Sequence, residues 1–312
     1  MAGPGRGGGG AREGRVRPVL VCLGALILDE VLLVERLPGP GEDVPARPGP
    51  AGPGGSATNV ARLAAALGVR TLLVARVGED EIGRRLAREL RAEGFRTIVQ
   101  RDPRRPTGRS IAIVEPDGAR RFLTLRGAEA ALAFDRRLSA AIAGEGWLFA
   151  SGYELEGPGA RAVLRAIRTT PRAVLLDPAP VVERLPDRVL APAVRRARIV
   201  VGTGEELAVL SARGFAPASW VEKRGAEGAA AGGGLGVATV PAARPPHGRV
   251  TDTTGAGDAF AAGLLAGLIR GSDLEGAMRI AAACGAAAVC GPGAGHALLH
   301  AARLRSRLEA GR

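Results

Sequence analysis

The run Asp252-Thr253-Thr254-Gly255-Ala256-Gly257-Asp258-Ala259-Phe260 places a small-residue turn directly before an acid and the start of an apolar helix. Backbone N–H groups of Gly255, Ala256 and Gly257 can converge on an anionic oxygen because no bulky Cβ intervenes. The first helical turn adds its own uncompensated donors and dipole. Such a turn suits a phosphoryl group in transfer. Asp258 stands at the mouth of the same helix, where bound phosphate would repel a merely structural carboxylate; its chemistry there is to take a proton from an attacking hydroxyl. Read structurally, the same residues make a glycine turn with an acidic N-cap.

A second set of residues suits a polyol. Asp29 is an acid inside an otherwise apolar, strand-like run, and carboxylates are good bidentate acceptors for vicinal hydroxyls. Asn59, the only asparagine of the chain, offers both a donor and an acceptor. Gly54 and Gly55 would let backbone approach the same ligand closely. The plain structural readings are a strand cap for Asp29 and a helix-face amide for Asn59.

These segments resemble the signatures of the ribokinase-like (PfkB) carbohydrate kinases. The resemblance rests on Asp252–Phe260 and on Gly54-Gly55-Ser56-Ala57-Thr58-Asn59-Val60-Ala61 with Leu67-Gly68. Gly24-Ala25-Leu26-Ile27-Leu28-Asp29, Val77-Gly78-Glu79-Asp80-Glu81-Ile82-Gly83 and Lys223-Arg224-Gly225-Ala226-Glu227-Gly228 add to it, in order and spacing across about residues 17–305. It implies an α/β fold: a three-layer α/β/α domain with a mostly parallel central sheet and a small β lid near residues 31–47 and 109–125. It implies ATP and Mg2+, with Asp258 as base, Gly255, Ala256 and Gly257 as the anion hole, and Asp29, Gly54, Gly55 and Asn59 around a sugar. The nucleotide side would hold Thr203, Glu206, Lys223, Gly225 and Gly228. The family's Asn-x-x-Glu reads Thr203-Gly204-Glu205-Glu206 here, so Glu206 matches the acid that orients magnesium-bound water while Thr203 replaces an amide. Asp252 and Thr254 match positions that bind a monovalent cation such as K+ in some members. The resemblance also admits a homodimer.

Composition narrows the remaining classes. The net charge is +12, but the only lysine is Lys223 and the arginines are spread along every segment. With aromatics at 3%, a base-stacking surface has little to be built from, so specific nucleic-acid binding is not expected. Cys22, Cys284 and Cys290 are odd in number and set in apolar surroundings, as buried thiols in a reducing, cytoplasmic compartment would be. His296 and His300 have the spacing of a zinc helix, yet position 297 is Ala and no third ligand is evident. No apolar run of membrane-spanning length occurs, and residues 1–16 read as a disordered Gly/Arg-rich tail before a kinase domain over residues 17–312.

The chain alternates apolar runs with amphipathic segments. Strands are expected at Val19–Leu28, Thr71–Val77, Trp147–Ala150, Ala173–Leu176, Ile199–Val201 and Trp220–Glu222. A helix over Ser56–Leu67 would have Ser56 as N-cap and Gly68 as its stop, and another over Glu81–Glu93 would end at Gly94. Such alternation implies a parallel sheet with ligands at the carboxyl ends of its strands, which places Asp29, Gly78, Asp177 and Gly202 toward one rim. Pro48–Gly55 is expected to return the chain from lid to core, and Gly232-Gly233-Gly234 to be a loop. Gly263 and Gly267 read as helix-packing positions. Beyond an ATP-dependent sugar kinase, the resemblance leaves open a 2-keto-3-deoxygluconate, nucleoside or sugar-phosphate kinase of the same family and, in a different class, an inactive sugar-binding regulator.

Overall fold

The computed structural model describes residues 19–94, 96–246, 248 and 250–291. The expected tail at 1–16 and the His296/His300 pair lie outside the described residues. Nine strands make the large sheet. In chain order they are β1 (Leu20–Leu23), β4 (Thr71–Gly78), β5 (Arg96–Asp102), β8 (Trp147–Ser151), β9 (Ala173–Asp177), β10 (Ile199–Thr203), β11 (Ser219–Lys223), β12 (Ala229–Gly233) and β13 (Ala238–Val240). The spatial order is β13-β12-β11-β10-β9-β8-β1-β4-β5, parallel from β11 to β5 and antiparallel only at the β11–β12–β13 edge. The smaller sheet joins β2 (Ile27–Val34), β3 (Ala46–Gly54), β6 (Arg109–Val114) and β7 (Arg120–Leu125) in the order β3-β2-β6-β7.

Period-two burial splits the core between the two faces of the large sheet. Leu20 and Cys22 of β1 face helices α1 (Ser56–Ala66), α2 (Glu81–Ala92), α7 (Ala256–Ile269) and α8 (Leu274–Ala288). Val21 and Leu23 face α3 (Arg136–Ile142), α4 (Ala160–Thr169), α5 (Asp187–Arg196) and α6 (Gly204–Ala212). This is the expected three-layer sandwich. Among the described residues no helix is long and apolar enough to cross a membrane. Cys22 and Cys284 are buried free thiols, whereas Cys290 is only half-buried.

Several local expectations change. The apolar run Val19–Leu28 is not one strand: it breaks at Gly24, where a Cβ would lie 2.3 Å from the Glu154 carboxylate that accepts the Ala25 N–H. Asp29 therefore belongs to β2 of the lid sheet rather than to the first core strand. Pro48–Gly54 is not a return loop but most of β3, and its prolines are tolerated because β3 is an edge strand. Gly232 and Gly233 lie in β12, where Gly232 packs on the Trp220 ring. Ser56 is the first residue of α1, whose N-cap is Gly55. Gly263 and Gly267 do mark tight packing of α7 on α8: Cβ atoms there would come within 2.8 and 2.6 Å of Ala281 Cα and Ala277 Cα.

Candidate active site

A cavity of about 2240 Å3 runs between the carboxyl ends of the large-sheet strands and the inner face of the lid. Gly255 caps α7 in the left-handed conformation at φ 75°, a backbone state that glycine adopts without strain, and so points the first turn into this cavity. Asp258 lies in that turn. Its two oxygens are held by α1: Ser56 Oγ donates to Oδ1 at 2.7 Å and Asn59 Nδ2 donates to Oδ2 at 2.9 Å. The two donors are three residues apart on one helix face, which aims both at one carboxylate.

Burial pushes Asp258 up from 3.8 to about 6, against the two hydrogen bonds and Lys223, with Asp177 adding to the rise. Asp29 stands near it. Burial first and the Asp258 charge second push Asp29 up to about 7, while the Gly55 N–H and Arg62 oppose this. The Asp258 charge thus disfavours ionisation of its neighbour Asp29. Gly54 is what lets Asp29 in, since a Cβ there would sit 1.9 Å from its carboxyl carbon.

A second polar cluster is built at the ends of β9, β10 and β11. Lys223 Nζ lies 2.9 Å from Asp177 and 3.8 Å from Glu206. Burial works against this ammonium, but Asp177 and Glu206 outweigh it and hold its pKa above the ordinary lysine value. Lys223 is thus no solvated strand-end lysine; a Cβ on Gly257 would come within 3.4 Å of its Nζ. Burial and Asp177 together raise Glu206. Thr203 and Glu206 form a capping box at the start of α6, in which Thr203 N donates to Glu206 at 2.8 Å and Glu206 N donates to Thr203 Oγ1 at 3.3 Å. Gly225 and Gly228 both line the cavity, but Gly228 is fixed by packing: a Cβ would lie 2.1 Å from Val240 O.

Two groups in the loop that leads into α7 are already engaged. The Ala256 N–H donates to Thr253 O at 3.2 Å and so is engaged within the turn, whereas the amides of Gly255 and Gly257 make no hydrogen bond among the described residues. At Asp252 and Thr254, where a monovalent cation was expected, the Arg120 guanidinium of β7 is bonded to both side chains. Sequence reading also missed three features of the cavity: Ser56 as a partner of Asp258, Asp177 as the anchor of Lys223, and Tyr153, which lines the cavity and whose hydroxyl is raised by burial and then by Asp258. The Ser56/Asn59 spacing was an available signal. Gly78, expected at the rim, is not part of the cavity lining; its neighbour Asp80 caps α2 and accepts from Thr107 at the root of the lid.

A glycine-capped helix start thus stands beside a buried acid, under a β lid at the ends of a mostly parallel sheet. The model of the pfkB family carbohydrate kinases matches residues 18–301, and the chain belongs to that family. It is 27% identical to the sugar kinase YegV of Escherichia coli over 84% of this chain and 85% of that one. With the ribokinase of Bacillus subtilis it shares 26% identity over 88% and 94%. The fold matches Arabidopsis thaliana ribokinase complexed with ribose and ATP at a TM-score of 0.73, covering 92% of this chain and 99% of that one at 24% identity.

Proposed function

We propose that this kinase transfers the γ-phosphoryl group of ATP to a hydroxyl of a free sugar, a pentose before a hexose, with Asp258 as general base. The observation that carries the reading is the Asp258 carboxylate, held on both oxygens by α1 and set in the first turn of α7 beside the Gly255 and Gly257 amides.

The acceptor hydroxyl gives its proton to Asp258 as its oxygen attacks the γ-phosphorus and the bond to the ADP oxygen breaks. Charge developing on the transferring oxygens meets the Gly255 and Gly257 N–H groups and the positive end of α7, donors that need no reorganisation at the moment of reaction. Lys223, fixed by Asp177, adds a charge beside Gly257. Asp29 and Asn59 are the acceptor-side polar groups: Asp29 accepts from sugar hydroxyls, and Asn59 reaches the sugar while orienting the base. Ala242, Ala243, Ala282 and Ala286 line an apolar lobe of the cavity that suits an adenine recognised by shape. Asp177 and Glu206 supply hard oxygen donors that fit Mg2+ through its water shell, where the ion would neutralise the nucleotide phosphates.

A free sugar is favoured because a second phosphate beside Asp29 and Asp258 would meet two buried acids. The test is ADP release across pentoses, hexoses, aldonic acids, nucleosides and sugar phosphates. A free pentose is expected to give the highest kcat/KM, and preference for a phosphorylated acceptor over every free sugar would overturn the assignment.

A further inference from the structure

From the outer strand of the lid, Arg120 reaches the loop before α7. Arg120 opens β7, opposite Val114 of β6, and its guanidinium crosses the cavity to the loop that precedes the anion hole. It pairs with Asp252 and donates to Thr254 Oγ1 and to Thr251 O, both at 3.2 Å. The Arg120 side chain is 13% exposed and Asp252 only 5%, so this is a nearly buried pair between segments 132 residues apart. Asp252 also accepts the Thr254 N–H at 2.6 Å, and Thr253 O accepts the Ala256 N–H, so the pair sets the turn that shapes Gly255.

Without a cation on this loop, a buried carboxylate would stand just ahead of the helix start where phosphate must arrive. A monovalent metal ion there would need oxygens from the same loop, and the guanidinium already uses the carboxylate, the hydroxyl and a main-chain carbonyl. We propose that Arg120 is the resident cation of the anion-hole loop: it takes the place of a monovalent metal ion and, being carried by the lid, brings that charge and the loop's catalytic shape with the lid. It is a positioning residue that acts through Asp252 and Gly255. The proposal rests on the reading of α7 as the phosphoryl site.

The test compares wild type with Arg120→Ala and Arg120→Lys in tetramethylammonium buffer, with and without K+. Two readouts are used: K+-dependent thermal shift, and kcat and KM for the best acceptor. Wild type is expected to show no K+-induced shift and no K+ activation. Arg120→Ala is expected to lose ~10- to 100-fold in kcat through misplacement of the loop, to gain a thermal shift with K+, and to recover activity with K+ or added guanidinium. Arg120→Lys, which keeps the charge, should retain most of the activity and stay K+-insensitive. The proposal is overturned if wild type binds or requires K+, or if Arg120→Ala keeps full kcat. If Arg120→Ala fails to fold, the wild-type and Arg120→Lys arms still decide. The thermal-shift arm needs no acceptor, so failure to find a sugar substrate is distinguishable from failure of this proposal.

Discussion

Asp258 is the residue on which burial and hydrogen bonding pull in opposite directions, and burial wins. Its pKa of about 6 and that of Asp29 of about 7 both lie above the ordinary 3.8. A base must be ionised, so kcat/KM should rise with pH through an acid limb between about 6 and 7; a limb below pH 5 would contradict the coupled, buried pair. The stability consequence has the opposite sense. Because both folded values are raised, the protonated carboxyls favour the fold: their contribution is complete below the unfolded value of 3.8 and is lost as pH rises through 6 to 7. Asp258→Asn should therefore raise Tm by a few degrees at neutral pH, the gain fading toward pH 4, as expected of an active-site group that costs stability; an unchanged or lower Tm at neutral pH would refute this. Asp29→Ala should raise the sugar KM or lower kcat/KM by roughly 5- to 150-fold, the loss of one buried partner at about 1–3 kcal/mol. The KM for ATP should move little, and equal effects on both substrates would place the acceptor elsewhere. At this scale Asp258, Asn59 and Asp29 were picked out from residue type and neighbours, and the structure brings them together. Ser56 was read only as an N-cap and Asp177 only as a rim residue, because a hydroxyl on a helix and an acid at a strand end each have common structural uses. What defines their roles is a partner more than forty positions away.

Two glycines of one helix separate chemistry from packing. Gly257 of α7 faces Lys223, so Gly257→Val should push the ammonium aside and crowd the phosphate while leaving the fold intact; kcat should fall with sugar binding kept. Gly267, three turns of chain further on, abuts Ala277 of α8. Gly267→Val should cost about 1–3 kcal/mol of stability by overpacking, with near-normal kcat in the folded fraction. Urea denaturation alongside steady-state kinetics checks both, and exchanged phenotypes would refute the division. The helices and parallel strands were readable because apolar period and capping residues are local. The lid was only half readable. β3 carries prolines and glycines that signal a loop by every local rule, and an edge position, a property of the sheet, is what permits them as strand. The break of the first apolar run at Gly24 likewise depends on Glu154, far along the chain.

Across the whole molecule, the site forms where four separate regions meet: the lid sheet with Asp29 and Arg120, α1 with Ser56 and Asn59, the start of α7, and the strand ends with Asp177 and Lys223. The family was legible because its motifs keep their order in sequence; the guanidinium beside Asp252 was not, because 132 residues separate its partners. The arginines behind the +12 charge are spread along every segment, and some of them pair with acids, as in Arg62–Glu93 and Arg85–Glu89. The central claim is that Asp258 removes a proton from a free sugar during phosphoryl transfer from ATP. It is tested most directly by following ATP and the best free pentose by 31P NMR with wild type and Asp258→Asn, after showing that both fold and bind ATP alike. The account predicts a sugar phosphate formed in step with ADP by wild type, and kcat lower by about 10²- to 10⁴-fold in the variant. Sugar phosphate formed at the wild-type rate by Asp258→Asn would contradict it.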